Sequence, residues 1–305
     1  MINLGYPCIN LSLKSKGIST NRTIRLAGVK KHGEEAIGQI ALCNVMDLYK
    51  ILEWNRDNGI TLFRLSSDII PWGNKLGFRH LPQASDIIYW FELCGKLIKE
   101  SNQRITTHPG PFNLLASPKE DVIRNTIADL EMHSEIFDLM NLSRTPYNKI
   151  NIHVGASYGD KISAAKTWVT NFKRLSEGVR SRLTIENDDK ASMFSVVDLH
   201  EMIHTEVGIP IVFDYHHHQF QTGGLSEEEA LKLAVSTWPE GIVPTVHYSE
   251  SKRLHENDMK VRAQAHSDFI NGPINSYGLR LDVMLETKQK DLALLKFRKK
   301  LNESL

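Results

Sequence analysis

Eight short apolar runs recur along this chain, each ending in polar or glycine residues and each followed by a segment with helical periodicity. The expected strands are Ile2 to Tyr6, Ile60 to Leu65, Arg104 to Thr107, Lys149 to His153, Arg182 to Ile185, Gly208 to Val212, Ile242 to Val246 and Leu279 to Leu285. Helical spacing is expected over Ile37 to Asn58, Asp86 to Lys99, Pro118 to Leu139, Ser163 to Leu175, Ser195 to Thr205, a segment capped by Ser226 with Glu227, Glu228 and Glu229 in its first turn, and Asp291 to Leu301. The seventh strand leads into a longer loop through His266. Units of about 38 residues suit a closed (β/α)8 barrel better than an open doubly wound sheet, so residues 1–305 are read as one α/β domain, a TIM barrel.

The hydrophobic content of 41% is enough to fill such a core. Three widely spaced cysteines, Cys8, Cys43 and Cys94, indicate neither a disulfide framework nor a zinc ribbon, which fits a reducing compartment. The residues from Met1 to Leu13 lack the form of a secretory signal, and no run approaches the roughly 18 apolar residues of a membrane span, so a cytoplasmic protein with no membrane partner is expected. Net charge is only +1, but no acid precedes Glu34, and Lys14, Lys16, Arg22, Arg25, Lys30 and Lys31 all fall in that stretch. It is either a solvated loop or an arm that contacts phosphates.

The sixth strand ends in Phe213-Asp214-Tyr215-His216-His217-His218, and other strands end in similar chemistry: His108, His153, Glu186, His247 and Glu286, with His266 in the loop after strand seven. In a barrel, the C-terminal strand ends form one rim, so residues nearly 180 positions apart converge. The set exceeds what one four-coordinate structural zinc uses. Mixed His and carboxylate ligation suits manganese, zinc or iron, and two or three such ions can activate a water and neutralise a phosphodiester. Beside a basic arm, phosphodiester chemistry is favoured.

Leu4-Gly5-Tyr6, Cys8-Ile9-Asn10, Arg64-Leu65-Ser66-Ser67-Asp68, His108-Pro109-Gly110, His153-Val154-Gly155, Glu186-Asn187-Asp188-Asp189, the Asp214 to His218 run, Val246-His247-Tyr248-Ser249, His266-Ser267-Asp268 and Met284-Leu285-Glu286-Thr287-Lys288, taken in order, resemble the UV damage endonucleases. The resemblance implies a manganese-dependent TIM-barrel nuclease, similar in fold to endonuclease IV. It implies nicking of damaged double-stranded DNA immediately 5′ to cyclobutane pyrimidine dimers and (6-4) photoproducts, leaving a 3′-hydroxyl and a 5′-phosphate. On it, His108, His153, Glu186, Asp214, His217, His247, His266 and Glu286 are metal ligands, with Glu186, Asp214, His247 and Glu286 at the catalytic centre. His216 and His218 fall outside that ligand set and are expected to support it or line the pocket. Tyr6, Asn10 and Phe112 are expected beside the lesion, and Lys14, Lys16, Arg22, Lys30 and Lys31 along the backbone. Tyr6 would stack on an unstacked base or, alternatively, cover the top of the barrel.

The chain departs from the family's pattern twice. Pro111 stands where a glutamine is usual, and Thr245 stands where members carry a lysine modified to a metal-bridging carbamate. Lesion preference and the number of ions are therefore open, with two or three manganese ions expected and other divalent metals allowed. A monomer without an organic cofactor is expected. The alternatives are an abasic-site endonuclease, a metal-dependent sugar isomerase or epimerase, and a lesion-binding barrel with impaired chemistry.

Overall fold

The computed structural model describes residues 2–303; Met1, Ser304 and Leu305, at the ends of the expected domain, lie outside the described residues. The apolar runs form parallel strands that can bury both faces, one inside a barrel and one beneath helices. They are β1 (Ile2–Pro7), β2 (Leu62–Leu65), β3 (Arg104–Thr107), β4 (Ile150–His153), β5 (Leu183–Glu186), β6 (Ile211–Val212), β7 (Thr245–Tyr248) and β8 (Leu281–Leu285). Neighbours pair in the order β6-β5-β4-β3-β2-β1-β8-β7. The ring closes through a parallel bridge between Asp214 and His247, where the His247 N–H donates to Phe213 O at 2.9 Å. Two residues singled out for chemistry thus complete the barrel wall. Register brings the strand ends level, with His153 opposite Glu186 and Glu186 opposite Val212.

Helices surround the strands, as expected of a (β/α)8 barrel. In Leu26–Asp57 the buried residues Ile37, Ala41, Val45, Leu48 and Leu52 make one stripe at helical spacing. Ser226 forms the expected capping box with Glu229.

Two local expectations are corrected, and the longer loop expected after the seventh strand is found. The first helix begins at Leu26 rather than Ile37 and bends at Gly33, which sits at φ 70°. Its added turns, with Lys30 and Lys31 in solvent, carry no apolar stripe that periodicity could register. The sixth strand shrinks to two residues. The seventh unit has only the short helix Lys252–His255, and its connection is ordered by polar contacts. The buried Glu250 carboxylate accepts the N–H groups of Asn271 and Gly272 at 3.0 and 2.6 Å, and Lys252 pairs with Asp268 at 2.9 Å.

Candidate metal centre

Polar side chains from several strand ends and the loops after them meet at one cleft of about 780 Å³ at the C-terminal rim, lined in part by His108, His153, Glu186, His217, His266 and Glu286. A second cleft, of about 610 Å³ between Ala84–Glu100 and Glu120–Leu139, contains none of these groups. Within the site the donor atoms form three overlapping sets: His108, His153 and Glu186; Glu186, Asp214 and His217; Asp214, His247 and Glu286. In each, the atoms lie within 4.8 Å of one another. Glu186 and Asp214 belong to two sets apiece, so the sets form a chain across the rim. His266 lies at the edge of the cleft, its Nδ1 2.7 Å from Ser249 Oγ.

Backbone contacts fix several rings. His108 places Nδ1 3.2 Å from Pro109 O and Nε2 3.1 Å from Glu186 Oε2, so the tautomer that donates to the carbonyl turns its other nitrogen's lone pair toward the carboxylate. A lone pair facing a carboxylate is repulsive unless a proton or cation lies between them. His217 Nδ1 likewise donates to Asn187 O at 2.9 Å, freeing its Nε2. His153 Nδ1 lies 3.1 Å from Asp188 Oδ1, a carboxylate placed to orient the ring. Glu186 Oε1, Asp214 Oδ2 and His247 Nδ1 are buried without hydrogen-bond partners. Unsatisfied acceptors and ring nitrogens at this density fit divalent cations, and the donor set is one that manganese, zinc or iron accepts.

The ionisation pattern agrees. Burial opposes the charge on Glu186, but His247 and His153 overcome it and hold the carboxyl well below its usual range. Burial dominates at Asp214, pushing it up to about 7. Burial also takes His247 down to about 4, whereas at His153 the charges of Glu186 and Asp188 outweigh burial and raise it to about 10.

Four participants carried no signal in the sequence that assigned them this role. Arg64 pairs with Glu286, and Asn151 donates to Glu186. Asp188 contacts His153 as above, and Lys149, 0% exposed, places Nζ 3.1 Å from His247 Nε2. Burial pushes its ammonium down to about 7. Thr245 is buried with Oγ1 unpartnered, so the lysine that reaches His247 comes from the opposite wall. Arg64 and Asp188 lay within quoted motifs without a role, and nothing in the sequence marked Lys149 or Asn151 as inward-facing.

Other expected contacts fare differently. Tyr6 is 0% exposed, donates from its hydroxyl to Asn55 Oδ1 at 2.7 Å, and packs on Phe63 with ring centroids 5.0 Å apart. It is a core aromatic with no face free for a base. Asn10 is buried too, donating to the Tyr6 hydroxyl at 2.9 Å and accepting from Leu13 N. Arg22 binds Asp47 at 2.6 Å and Gly17 O at 2.6 Å, which ties down its own loop rather than leaving it free for phosphate. Lys14, Lys16, Lys30 and Lys31 are exposed but do not line the cleft. Phe112 projects beside it at 85% exposure, next to Pro111 on the wall. His216 donates to Gln264 O at 3.1 Å and supports the His266 loop, while His218 packs on Phe213.

Comparison with known proteins places this arrangement. The family model described as UV-endonuclease UvdE matches residues 2–304. The chain is 34% identical over 302 residues to the UV-damage endonuclease of Schizosaccharomyces pombe, covering 95% of this chain but spanning only about half, 49%, of that protein. It is 34% identical to the UV DNA damage endonuclease of Clostridium perfringens, over 99% of this chain and 71% of the relative. The crystal structure of SacUVDE superposes with a TM-score of 0.85 at 32% identity, covering 99% of both chains. By its strand-end chemistry, its barrel and these matches across its length, the chain belongs to the UV-endonuclease UvdE family, and with it to the DNA endonucleases.

Proposed function

We propose that this chain hydrolyses one phosphodiester of UV-damaged duplex DNA immediately 5′ to a cyclobutane dimer or (6-4) photoproduct, leaving a 3′-hydroxyl and a 5′-phosphate. The observation that carries this reading is the chain of three overlapping His and carboxylate sets at the barrel rim. Family membership supplies the substrate class. Two or three divalent ions, manganese foremost, would be held by His108, His153, Glu186, Asp214, His217, His247 and Glu286, with His266 completing one shell. Such ions supply Lewis acidity, making a water nucleophilic at neutral pH and offsetting charge on the phosphate.

The protein's own work is placement. Glu186 and Asp214, each shared between two sets, fix the spacing of the sites. Arg64 holds the Glu286 carboxylate and Asn151 holds that of Glu186, so neither has to be ordered when substrate arrives. Asp188 orients His153, and Lys149 contacts the far nitrogen of His247. Phe112, exposed at the cleft, offers a face on which an unstacked base can rest. Pro111 beside it has no side-chain hydrogen bond to give, so damage would be recognised through stacking and shape.

The test presents duplexes carrying one thymine dimer, one abasic site or no lesion, each with manganese or with EDTA. Manganese-dependent incision of the dimer duplex supports the proposal. Incision at the abasic site alone would assign the chain to that chemistry instead.

A further inference from the structure

The cleft contains a concentration of negative charge, Glu186, Asp188, Asp189 and Glu286, into which a DNA phosphate has to descend. Two arginines and one lysine share the lining: Arg64, Arg262 and Lys190. Arg64 is paired with Glu286, whereas Lys190 and Arg262 are exposed and form no ion pair among the described residues.

Both are carried on loops held to the rim by hydrogen bonds. Lys190 sits in a turn where its carbonyl accepts from Met193 N at 2.8 Å, closed by Asp188 N donating to Phe194 O at 2.9 Å. Arg262 precedes three residues whose carbonyls are each fixed: Ala263 O accepts from Ser251 Oγ at 2.5 Å, Gln264 O from His216 Nε2 at 3.1 Å and Ala265 O from Lys252 N at 2.7 Å. These cations therefore have fixed bases and free heads.

We propose that Lys190 and Arg262 form the phosphate-binding wall of the metal cleft, seating the backbone of duplex DNA by charge and reading no base. The assignment rests on the endonuclease reading above. It places backbone contact on the loops after β5 and β7, in addition to any made by the basic segment after β1. Phosphate contacts of this kind position a duplex and make its binding salt-dependent.

Lys190→Gln, Arg262→Gln, the double variant and Arg262→Lys are compared with wild type by fluorescence anisotropy on a dimer-containing duplex in calcium, between 50 and 200 mM salt. Each lost phosphate contact lowers the slope of log affinity against log salt by about 0.9, so the loss of affinity over that range shrinks by about 3.5-fold per contact. The expected result is that reduction for each Gln variant, an additive reduction for the pair and a wild-type slope for Arg262→Lys. Calorimetric manganese binding, unchanged in all variants, shows that the fold and the metal sites survive. Wild-type slopes in both Gln variants would overturn the wall while leaving the endonuclease reading intact. A wild-type protein that binds neither damaged nor undamaged duplex would overturn the reading beneath it, and the wall with it.

Discussion

Replacing Glu186 by glutamine keeps the shape of the side chain and removes the carboxylate that two of the three metal sets share. Only Asp214, His247 and Glu286 would remain as a complete set. At free manganese 100-fold above the dissociation constant, each occupied site stabilises the native state by about 2.7 kcal/mol. Unfolding entropy of about 2.1 cal/mol/K per residue gives roughly 0.64 kcal/mol/K for 305 residues. Each ion should therefore raise the melting temperature by about 4 °C. Wild type, with two or three ions, should shift by about 8–13 °C on adding manganese, and Glu186→Gln by about 4 °C. Differential scanning calorimetry of each protein with manganese and with EDTA measures this directly. Because each protein is its own reference, any effect of the substitution on the metal-free fold cancels. A shift in Glu186→Gln equal to that of wild type would refute a shared, bridging Glu186.

Metal binding should also release protons, since Asp214 at about 7 and His153 at about 10 must both be deprotonated to ligate; manganese affinity should rise from pH 6 to pH 8, and calorimetry in two buffers of different ionisation enthalpy would contradict this by showing no proton release. Lys149 is depressed to about 7 in the fold, so between pH 7 and its unfolded value the unfolded chain binds the extra proton and stability rises with pH. Urea titrations in EDTA should show wild type gaining about 2 kcal/mol relative to Lys149→Met from pH 7 to pH 9, and parallel pH profiles would sink the idea. At the other end of the barrel, Arg104 is buried and pairs with Asp282 at 2.6 Å; Asp282→Ala strands that cation and should cost about 3–5 kcal/mol, measured by denaturant unfolding, with a loss under 1 kcal/mol as the contrary result. Tyr6→Phe should cost about 1–3 kcal/mol of stability by stranding Asn55, with incision at saturating DNA unchanged; lost incision in a stable variant would mean that Tyr6 moves out to the substrate.

The rim was legible because the signal was local. A buried strand announces itself by an apolar run, and the first metal-capable residue after the run falls at the barrel's mouth, which is how His108, His153, Glu186, Asp214 and Glu286 stood out. What depended on contacts between distant segments was not legible. Arg22 lies in an acid-free stretch of sequence, yet Asp47 meets it in space at 2.6 Å. Tyr6 at the end of β1 could face a ligand or the core, and Asn55, 49 residues away, decides for the core. Lys149 looked like a polar strand start, and only closure of the barrel brings it to His247. The early turns of Leu26–Asp57 left no periodic trace, because they are largely exposed and a single partly buried Val29 makes no stripe.

The most direct measurement is incision of an end-labelled duplex containing one thymine dimer, with manganese, resolved to the nucleotide beside undamaged duplex and a Glu186→Ala control. A single manganese-dependent nick at the phosphodiester immediately 5′ to the dimer, ending in a 3′-hydroxyl and absent from the control, is the predicted result. Binding without a nick, or a nick that survives loss of Glu186, would contradict a rim built around that carboxylate to cut damaged DNA.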